Sequence, residues 1–471
     1  MDTASPDAGD SPVPGDIITL TPHDIGVSGG GVARFSGMTV FLDKGLPGDT
    51  LLCRVTERKP RFLKAAVLET LAPSPDAVPA FCPYGGQCGG CAWTNLAYSA
   101  QTAWKERHVR ETLRRVGKVV FQDKDNAGAV YLPIIPSPRV TGYRNKMEFA
   151  FGLEDGVPAL GLRQRGAHAV VSVKECPLCA FPVETILAVT RRWMREDKHA
   201  VWNGGNGFLR FLVVRCPDYS PDGAPRCLVE CITAPGTADA ARSVARLGDI
   251  LIREAGATGF THSVRAAGTN VAYGERTVYG VGETTVTEKV GDVVLQAPVR
   301  AFMQANTAAS ALLYDQVRLF ARQENGAQTI WDAYSGVGGI AIFLAGNGTR
   351  VLGIDSVPEA VDFAKKNAGI NGVADTVSFL RKDAAAFLKA AKTTPDLVVA
   401  DPPRAGMARD FTEALLRLKP AGIIAVSCDP GSLARDLAIL QAGYAVRHAR
   451  AVDLFPHTPH VETVCLLTRM R

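Results

Sequence analysis

The sequence contains no apolar run approaching the roughly 18 residues needed to cross a bilayer, so no membrane partner is expected. Its first residues, "MDTASPDAGDSPVPGD", have no basic start and no apolar centre. They therefore do not read as a secretory signal; a short disordered tail and a cytoplasmic location are expected. Internal repeats and coiled-coil heptads are also missing, which sets aside solenoids and long zippers. Neither sign of charge dominates: 52 Lys and Arg face 47 Asp and Glu, a net charge of +5. That balance permits a nucleic-acid partner without arguing for one. What is present is ordinary globular material, 46% hydrophobic over 471 residues, enough for roughly two to four domains. Eleven cysteines, an odd number and unevenly clustered, suggest a metal or catalysis more than disulfides in such a chain.

From Ile17 to Leu71 the chain reads as short strands broken by glycines 26, 29, 30, 31, 37, 45 and 48, the pattern of a small, tightly turned β-barrel. Its last part carries Arg54, Arg58, Lys59, Arg61 and Lys64. Taken alone, that run reads better as a solvated, charge-protected edge than as a phosphate-contacting face. A Pro-rich linker, "LAPSPDAVPAF", leads into cysteines. The segment "SAQTAWKERHVRETLRRVGK" then predicts a helix with Val109, Leu113 and Val116 as its apolar stripe and Gly117 as its stop. "KMEFAF", "FLRFLVVRC" and "CLVECITA" predict strands of an antiparallel or mixed sheet, whereas strands and helices alternate from Ala301 onward. Alternation implies a parallel, doubly wound α/β sheet.

Within that last region, "TIWDAYSGVGGIAIFLA" (Thr329 to Ala345) reads as strand, glycine-rich loop and helix. Glycines 336, 338 and 339 let the backbone approach a ligand at a helix N-terminus. The spacing also fits a relaxed dinucleotide fingerprint, so it is weak by itself. Asp355 ends the next strand, where an acid can bind ribose hydroxyls. Ser356 and Glu359, with Pro358 between, read as the start of the following helix. Asp383 sits where a further strand ends, within reach of an adenine amino group.

"DLVVADPPRAG" carries an apolar strand into Asp401-Pro402-Pro403-Arg404. The prolines stiffen the loop and remove donors, leaving Asp401 and nearby carbonyls as acceptors for a planar group such as a base edge. Enzymes that methylate exocyclic amines carry an aromatic where Arg404 stands, so that chemistry lacks its stacking platform here. "IIAVSCDPGSLARDL" then puts Cys428 where a buried strand breaks into a loop, with a helix expected near Ser432. Most lone cysteines are structural, yet a thiolate at a strand end beside a cofactor pocket can attack an electrophilic carbon. In "DLFPHTPHVETVCLL", Glu462 precedes an apolar strand, where it can act as general base. His457 and His460 are either loop residues or contributors to the site.

Two cysteine groups remain: Cys82-x5-Cys88-x2-Cys91 in "CPYGGQCGGC", and Cys176-x2-Cys179 in "KECPLC". Paired knuckles would suit zinc but leave Cys82 unexplained and lie unusually far apart. A four-cysteine iron–sulfur cluster would use Cys82, Cys88, Cys91 and one later cysteine, with glycines 85, 86, 89 and 90 bringing backbone donors to the sulfurs. Spacing leaves both open.

"AFMQAN", "DAYSGVGG", "DPPRAG", "VSCDP" and "FPHTPHVET" together resemble the RNA uracil-C5 methyltransferases that use S-adenosylmethionine. "GYRNKMEFAFG" resembles that family's central domain, and the N-terminal barrel resembles its small RNA-binding TRAM domain, so the likeness covers nearly the whole chain. It implies a Rossmann-like class I methyltransferase domain (94–129 and 301–471), an OB-like TRAM β-barrel (15–72) and a central α+β iron–sulfur domain (73–93 and 130–300). It implies Cys428 as nucleophile toward C6 of uracil, Glu462 as the base that removes the C5 proton, and Asp401 with Gln304 holding the uracil edge. Gln304, Tyr334, Gly336, Asp355, Asp383 and Asp401 would line the S-adenosylmethionine side. A [4Fe-4S] cluster would sit on Cys82, Cys88, Cys91 and Cys176, leaving Cys179 a bystander. The expected substrate is one uridine of 23S rRNA, the expected state a monomer, and Arg54 to Lys64 then becomes a phosphate-contacting run. Ser335 stands where the family often has cysteine, and Asp429 replaces a common asparagine; a carboxylate beside the nucleophile is expected to raise its pKa. Alternatives are a tRNA uracil-C5 methyltransferase, an NAD-dependent iron–sulfur oxidoreductase, and a non-catalytic RNA-binding protein, which the retained Cys428 and Glu462 speak against.

Overall fold

The computed structural model describes residues 12–122, 128–203, 205–266, 268, 271–323, 327–346 and 348–470. Residues 1–11, the bulk of the expected tail, lie outside them. The chain divides into two compact units: 1–105 with 455–459, and 106–454 with 460–471. No helix among the described residues is long and apolar enough to cross a membrane.

The first unit holds a six-stranded sheet in the order Ile17–Leu20, Thr50–Arg58, Phe62–Ala72, Met38–Leu42, Gly31–Phe35, Asp24–Ile25. Period-two alternation builds its core. Leu51, Cys53 and Val55 of one strand and Leu63, Ala65 and Val67 of the next face inward, while Arg54, Arg58 and Lys64 face water. Gly30 is required by contact: a Cβ there would lie 2.1 Å from the Leu42 carbonyl oxygen. A second small core joins Ile25, Leu46, Trp93, Leu96 and Trp104.

The second unit opens with a seven-stranded mixed sheet, ordered Val170–Val171, Val157–Arg163, Lys146–Glu154, Leu209–Arg215, Leu228–Thr233, Gly259–Val264, Arg276–Gly282. All three sequence-predicted strand segments fall in it. Its one parallel pair, Leu228–Thr233 with Gly259–Val264, is bridged by helix Ala238–Ala255.

The eight-stranded sheet that follows runs Val377–Arg381, Arg350–Asp355, Thr329–Ala333, Leu397–Ala400, Gly422–Ser427, Glu462–Arg469, Tyr444–Val452, Val130–Ile135. Its first five strands are parallel, as the alternation predicts. Glu462–Arg469 is antiparallel to both neighbours. Val130–Ile135, placed by sequence in the central segment, instead pairs in parallel with Tyr444–Val452 at the edge of this sheet. Helix Tyr98–Arg115 sends Val109 and Leu113 into the core of the same sheet. Val116 does not join them: the helix stops before it, and it stands 52% exposed.

Candidate active site

Strand order reverses between Thr329–Ala333 and Leu397–Ala400, which are neighbours in space. In open α/β sheets the crevice beyond the carboxyl ends at such a reversal binds ligands. Two loops open there, Tyr334-Ser335-Gly336 and Asp401-Pro402-Pro403. A cleft at this point is lined by Gln304, Tyr314, Asp332, Tyr334, Gly336 and Asp401. The first loop is tightly wound: Tyr334 (φ 65°), Gly336 (φ 53°) and Gly338 (φ 91°) are left-handed. Such backbone is costly for tyrosine and persists where the surroundings enforce it. The Tyr334 ring rests on Phe411, centroids 5.4 Å apart.

Asp355 is where the sequence places it, and both its oxygens work on the backbone. One accepts the Gly336 N–H (2.9 Å) and the other the Val357 N–H (2.8 Å). The following helix, Pro358–Ile370, is capped by Val357 with no side-chain bond, so the capping box of the expected Ser356–Glu359 start does not form. Glu359 is drawn away by Arg300, which holds it through two 2.8 Å bonds. Asp383 caps helix Ala384–Ala390 by accepting the Ala386 N–H.

Cys428 and Glu462 meet through sheet register. Ser427 pairs with Thr463 in the antiparallel ladder, so continuing one step sets Cys428 opposite Glu462. Asp401 ends the strand on the other side of Gly422–Ser427, just past the Ala400–Ala425 pair. Glu462 is 3% exposed, and burial, with the Asp401 charge, pushes its carboxyl up to about 8. Burial alone moves Asp401 up to about 6. The half-buried Cys428 thiol rises to about 11 through burial, Glu462 and Asp401, while Arg404 opposes the shift. The sequence expected Asp429 to raise this thiol. Asp429 instead caps helix Pro430–Leu440, which starts before Ser432, and accepts the Ser432 N–H at 2.7 Å.

Several residues of the site were not anticipated. Asp332 is buried, with neither carboxylate oxygen satisfied by a well-formed hydrogen bond among the described residues. Burial and Asp401 push its carboxyl well up, and the Ala341 amide offsets little of that. The Tyr314 phenol, raised by burial, lies in the field of Asp401, Asp332 and Glu462. A Cβ on Gly339 would come 2.9 Å from its hydroxyl. Asn145 fixes the Gln304 loop: its Nδ2 donates to Glu288 and Thr307 (both 2.9 Å) and to the Gln304 carbonyl (3.3 Å). The buried Arg215 bonds the Ala301 carbonyl at 2.9 Å. Asn145 stands in the quoted "GYRNKMEF" string, but a lone Asn beside a strand gives no sign of such a network. Asp332 sits inside "TIWDAY", where its acid is a local break in an otherwise apolar strand.

Cys82, Cys88 and Cys91 belong to the first unit and Cys176 and Cys179 to the second. The Gly90 N–H points to the Cys88 sulfur at 3.3 Å, the kind of backbone donor the glycines were expected to supply. The Cys179 N–H donates to the Cys176 carbonyl at 2.9 Å, which turns the two cysteines into one tight loop. Among the described residues no group of three or more His, Cys, Asp or Glu side chains converges as a metal requires. His457, undecided on sequence, is structural in the first unit: its carbonyl accepts the Ala92 and Trp93 N–H groups, and Gln101 accepts its own N–H at 2.7 Å. His460 is exposed.

A reversing parallel sheet, a glycine loop tied to an acid, and acidic groups around a cleft fit the class I, S-adenosylmethionine-dependent methyltransferases. Residues 265–470 match the tRNA (uracil-5-)-methyltransferase family model, and residues 15–68 the TRAM domain. An uncharacterized RNA methyltransferase of Nitratidesulfovibrio vulgaris is 42% identical over 96% of both chains. One from Halalkalibacterium halodurans is 31% identical over 96% of this chain and 97% of its own. The Pyrococcus abyssi tRNA (uracil-54, C5)-methyltransferase, solved with S-adenosyl-L-homocysteine, superposes with a TM-score of 0.75 at 26% identity, covering 96% of this chain and all of that one. The chain belongs to the S-adenosylmethionine-dependent RNA uracil-C5 methyltransferase family, and the oxidoreductase reading of its glycine loop gives way.

Proposed function

We propose that this enzyme, acting as a monomer, methylates C5 of a single uridine in 23S rRNA through a transient bond between Cys428 and C6. The observation that carries the mechanism is the strand register that faces Cys428 with Glu462 beside Asp401. Bound S-adenosylmethionine supplies an electrophilic methyl group. Gln304, Tyr334, Gly336, Asp355, Asp383 and Asp401 would hold it, and the unsatisfied Asp332 carboxylate and Ser335 hydroxyl at the cleft fit a polar ligand. Cys428 gives its thiol proton to water and adds to C6 as the thiolate, and the electron pair of the C5–C6 bond makes C5 nucleophilic. Asp401 and Gln304 hold the base edge while this charge develops. Once C5 carries its methyl group, Glu462 in its ionised, carboxylate form takes the C5 proton. The electrons re-form the C5–C6 double bond, and Cys428 leaves as thiolate. The target base must leave its stack to enter.

On the first unit, Phe41 stands 43% exposed, edge-on to Phe62, and pairs across the sheet with Lys64. Aromatic surface among Arg54, Arg58, Lys59, Arg61 and Lys64 suits a single strand that stacks and is neutralised. The [4Fe-4S] assignment to Cys82, Cys88, Cys91 and Cys176 rests on sequence resemblance. The donor chemistry fits a thiolate-bound cluster, and no catalytic step needs it.

A tRNA substrate is the second reading, favoured by the Pyrococcus relative. Labelled methyl transfer to unmodified 23S rRNA and to a tRNA pool, with the modified base mapped, separates the two. Label at one rRNA uridine is expected; label only in tRNA overturns the rRNA assignment. In the same assay Cys428→Ala should bind S-adenosylmethionine normally yet turn over at least a thousandfold more slowly, on the scale of losing an essential nucleophile. Normal turnover by this variant would remove the covalent step.

A further inference from the structure

The active site does not use a second concavity, of about 350 Å³, in the central mixed sheet. It sits at the carboxyl ends of the parallel strands Leu228–Thr233 and Gly259–Val264, where their bridging helix Ala238–Ala255 begins. The helix is drawn onto this face by Gly248, whose missing side chain admits the Phe260 ring: a Cβ would lie 2.3 Å from it. Above that contact the helix start, the strand ends and the Phe208 ring enclose the cavity.

Three features of its lining point to a ligand. First, Thr237 caps the helix and accepts the Ala240 N–H at 3.2 Å. The Ala238 and Asp239 amides precede the first intrahelical bond, a favourable seat for an anion. Second, His262 lines the cavity at 1% exposure. Its Nε2 lies 2.9 Å from the Thr233 hydroxyl, and its Nδ1 has no hydrogen-bond partner among the described residues. A buried ring nitrogen left unbonded is costly unless something completes it. Burial also pushes this imidazole down to about 4, so it stays neutral near pH 7 and keeps one acceptor nitrogen. Third, the charges leave one cation over. Glu275 is engaged by Arg265 and by the Ala266 N–H, and Asp239 is turned outward onto Arg242. Arg276, on the rim, meets no carboxylate among the described residues. The remaining wall is apolar and aromatic: Phe208, Pro235, Val264 and Val278.

We propose that this cavity binds one nucleotide, its phosphate at the helix start beside Arg276 and its base against Phe208, where His262 completes the contact. The volume is at the lower end of small-ligand pockets, about 300–1,000 Å³. A nucleotide matches an anionic end joined to a flat, partly polar one. It can come from an unstacked residue of the RNA substrate, which rests on the family assignment, or from a free mononucleotide.

The test uses the full chain. Wild type, Ala241→Phe, which fills the cavity, and Arg276→Ala, an exposed change that leaves the core intact, are titrated by calorimetry with each nucleoside 5′-monophosphate and with inorganic phosphate. Their RNA KM and kcat are measured alongside, and S-adenosylhomocysteine affinity serves as the folding control. A tenfold rise in RNA KM with kcat unchanged, about one stacked base lost, assigns the site to RNA. Loss of monophosphate binding at unchanged KM assigns it to a free nucleotide. If neither quantity moves, or phosphate alone binds as well as any nucleotide, the proposal is overturned. Wild-type methyl transfer reports separately on the uridine assignment.

Discussion

Glu462 shows how the site holds conflicting demands on single side chains. Burial and the Asp401 charge raise its carboxyl from an ordinary value near 4.5 to about 8, so near neutral pH the resting site holds mostly the acid. A group raised on folding binds its proton more tightly in the native chain. Its contribution to stability is complete below about 4.5 and is lost as pH climbs through about 8. Glu462→Gln removes that loss. Its thermal midpoint should match wild type near pH 4 and exceed it by a few degrees near pH 9, as read by scanning calorimetry. A difference that does not vary with pH would mean that the carboxyl is not raised. The same variant should still form the Cys428–C6 bond and methylate, but release product slowly, leaving an RNA–protein adduct visible on a denaturing gel. Free release at the wild-type rate would take the base role from Glu462. The high Cys428 thiol fits this picture: burial raises it most, Glu462 and Asp401 add to that, and Arg404 is the opposing charge.

At the scale of elements, the site depends on loops pinned by distant strands. Asn145, one residue before strand Lys146–Glu154, holds the Gln304 loop through one amide shared among three acceptors. Asn145→Ala leaves those acceptors buried and unpaired, which costs about 1–3 kcal/mol. It should also raise KM for S-adenosylmethionine several-fold, because Gln304 lines the cleft. An unchanged KM with lowered stability would restrict Asn145 to a structural role. The basic strands of the first unit make a different kind of prediction. Glu57 already binds Lys59 (2.7 Å) and Lys64 (2.6 Å), and those two lysines pull its carboxyl down to about 2. Part of the run that looked purely cationic in sequence is therefore locally neutralised, and Arg54 and Arg61 are better probes of RNA contact. Arg54→Ala with Arg61→Ala should weaken RNA binding uniformly and reduce the salt slope by about 1.4, near 0.7 per phosphate contact on a single strand. A slope that stays the same would take this face out of the RNA path.

Across the whole molecule, the parts legible in sequence are those whose chemistry fixes their place in the chain. An apolar strand ending in Asp401 or Cys428, and a glycine loop followed by Asp355, are local signals that the sheet order then brings together. Residues that act through long-range packing left no such trace. Asn145 and Tyr314 each look like a single unremarked letter until distant segments close around them. The helix starts at Pro358 as expected, but its capping box does not form: Glu359 fits the pattern, and Arg300, far away in sequence, claims it. Val130–Ile135 has strand character in either sheet, and only pairing with Tyr444–Val452 decides which one it joins. The cysteines pose the opposite problem, a strong sequence signal that the fold alone does not complete. Cys176 and Cys179 share one tight backbone turn, and the resemblance singles out only Cys176 as a ligand. Anaerobically prepared protein should contain about four iron and four sulfide per chain, as a [4Fe-4S] cluster requires, with a broad visible absorbance. Cys82→Ser, Cys88→Ser, Cys91→Ser and Cys176→Ala should each lose it, while Cys179→Ala keeps it. Removing the cluster by oxidation and chelation should weaken RNA binding and leave S-adenosylmethionine affinity intact. Cluster loss in Cys179→Ala with retention in Cys176→Ala would exchange their roles, and iron-free, fully active protein would remove the cluster from this enzyme.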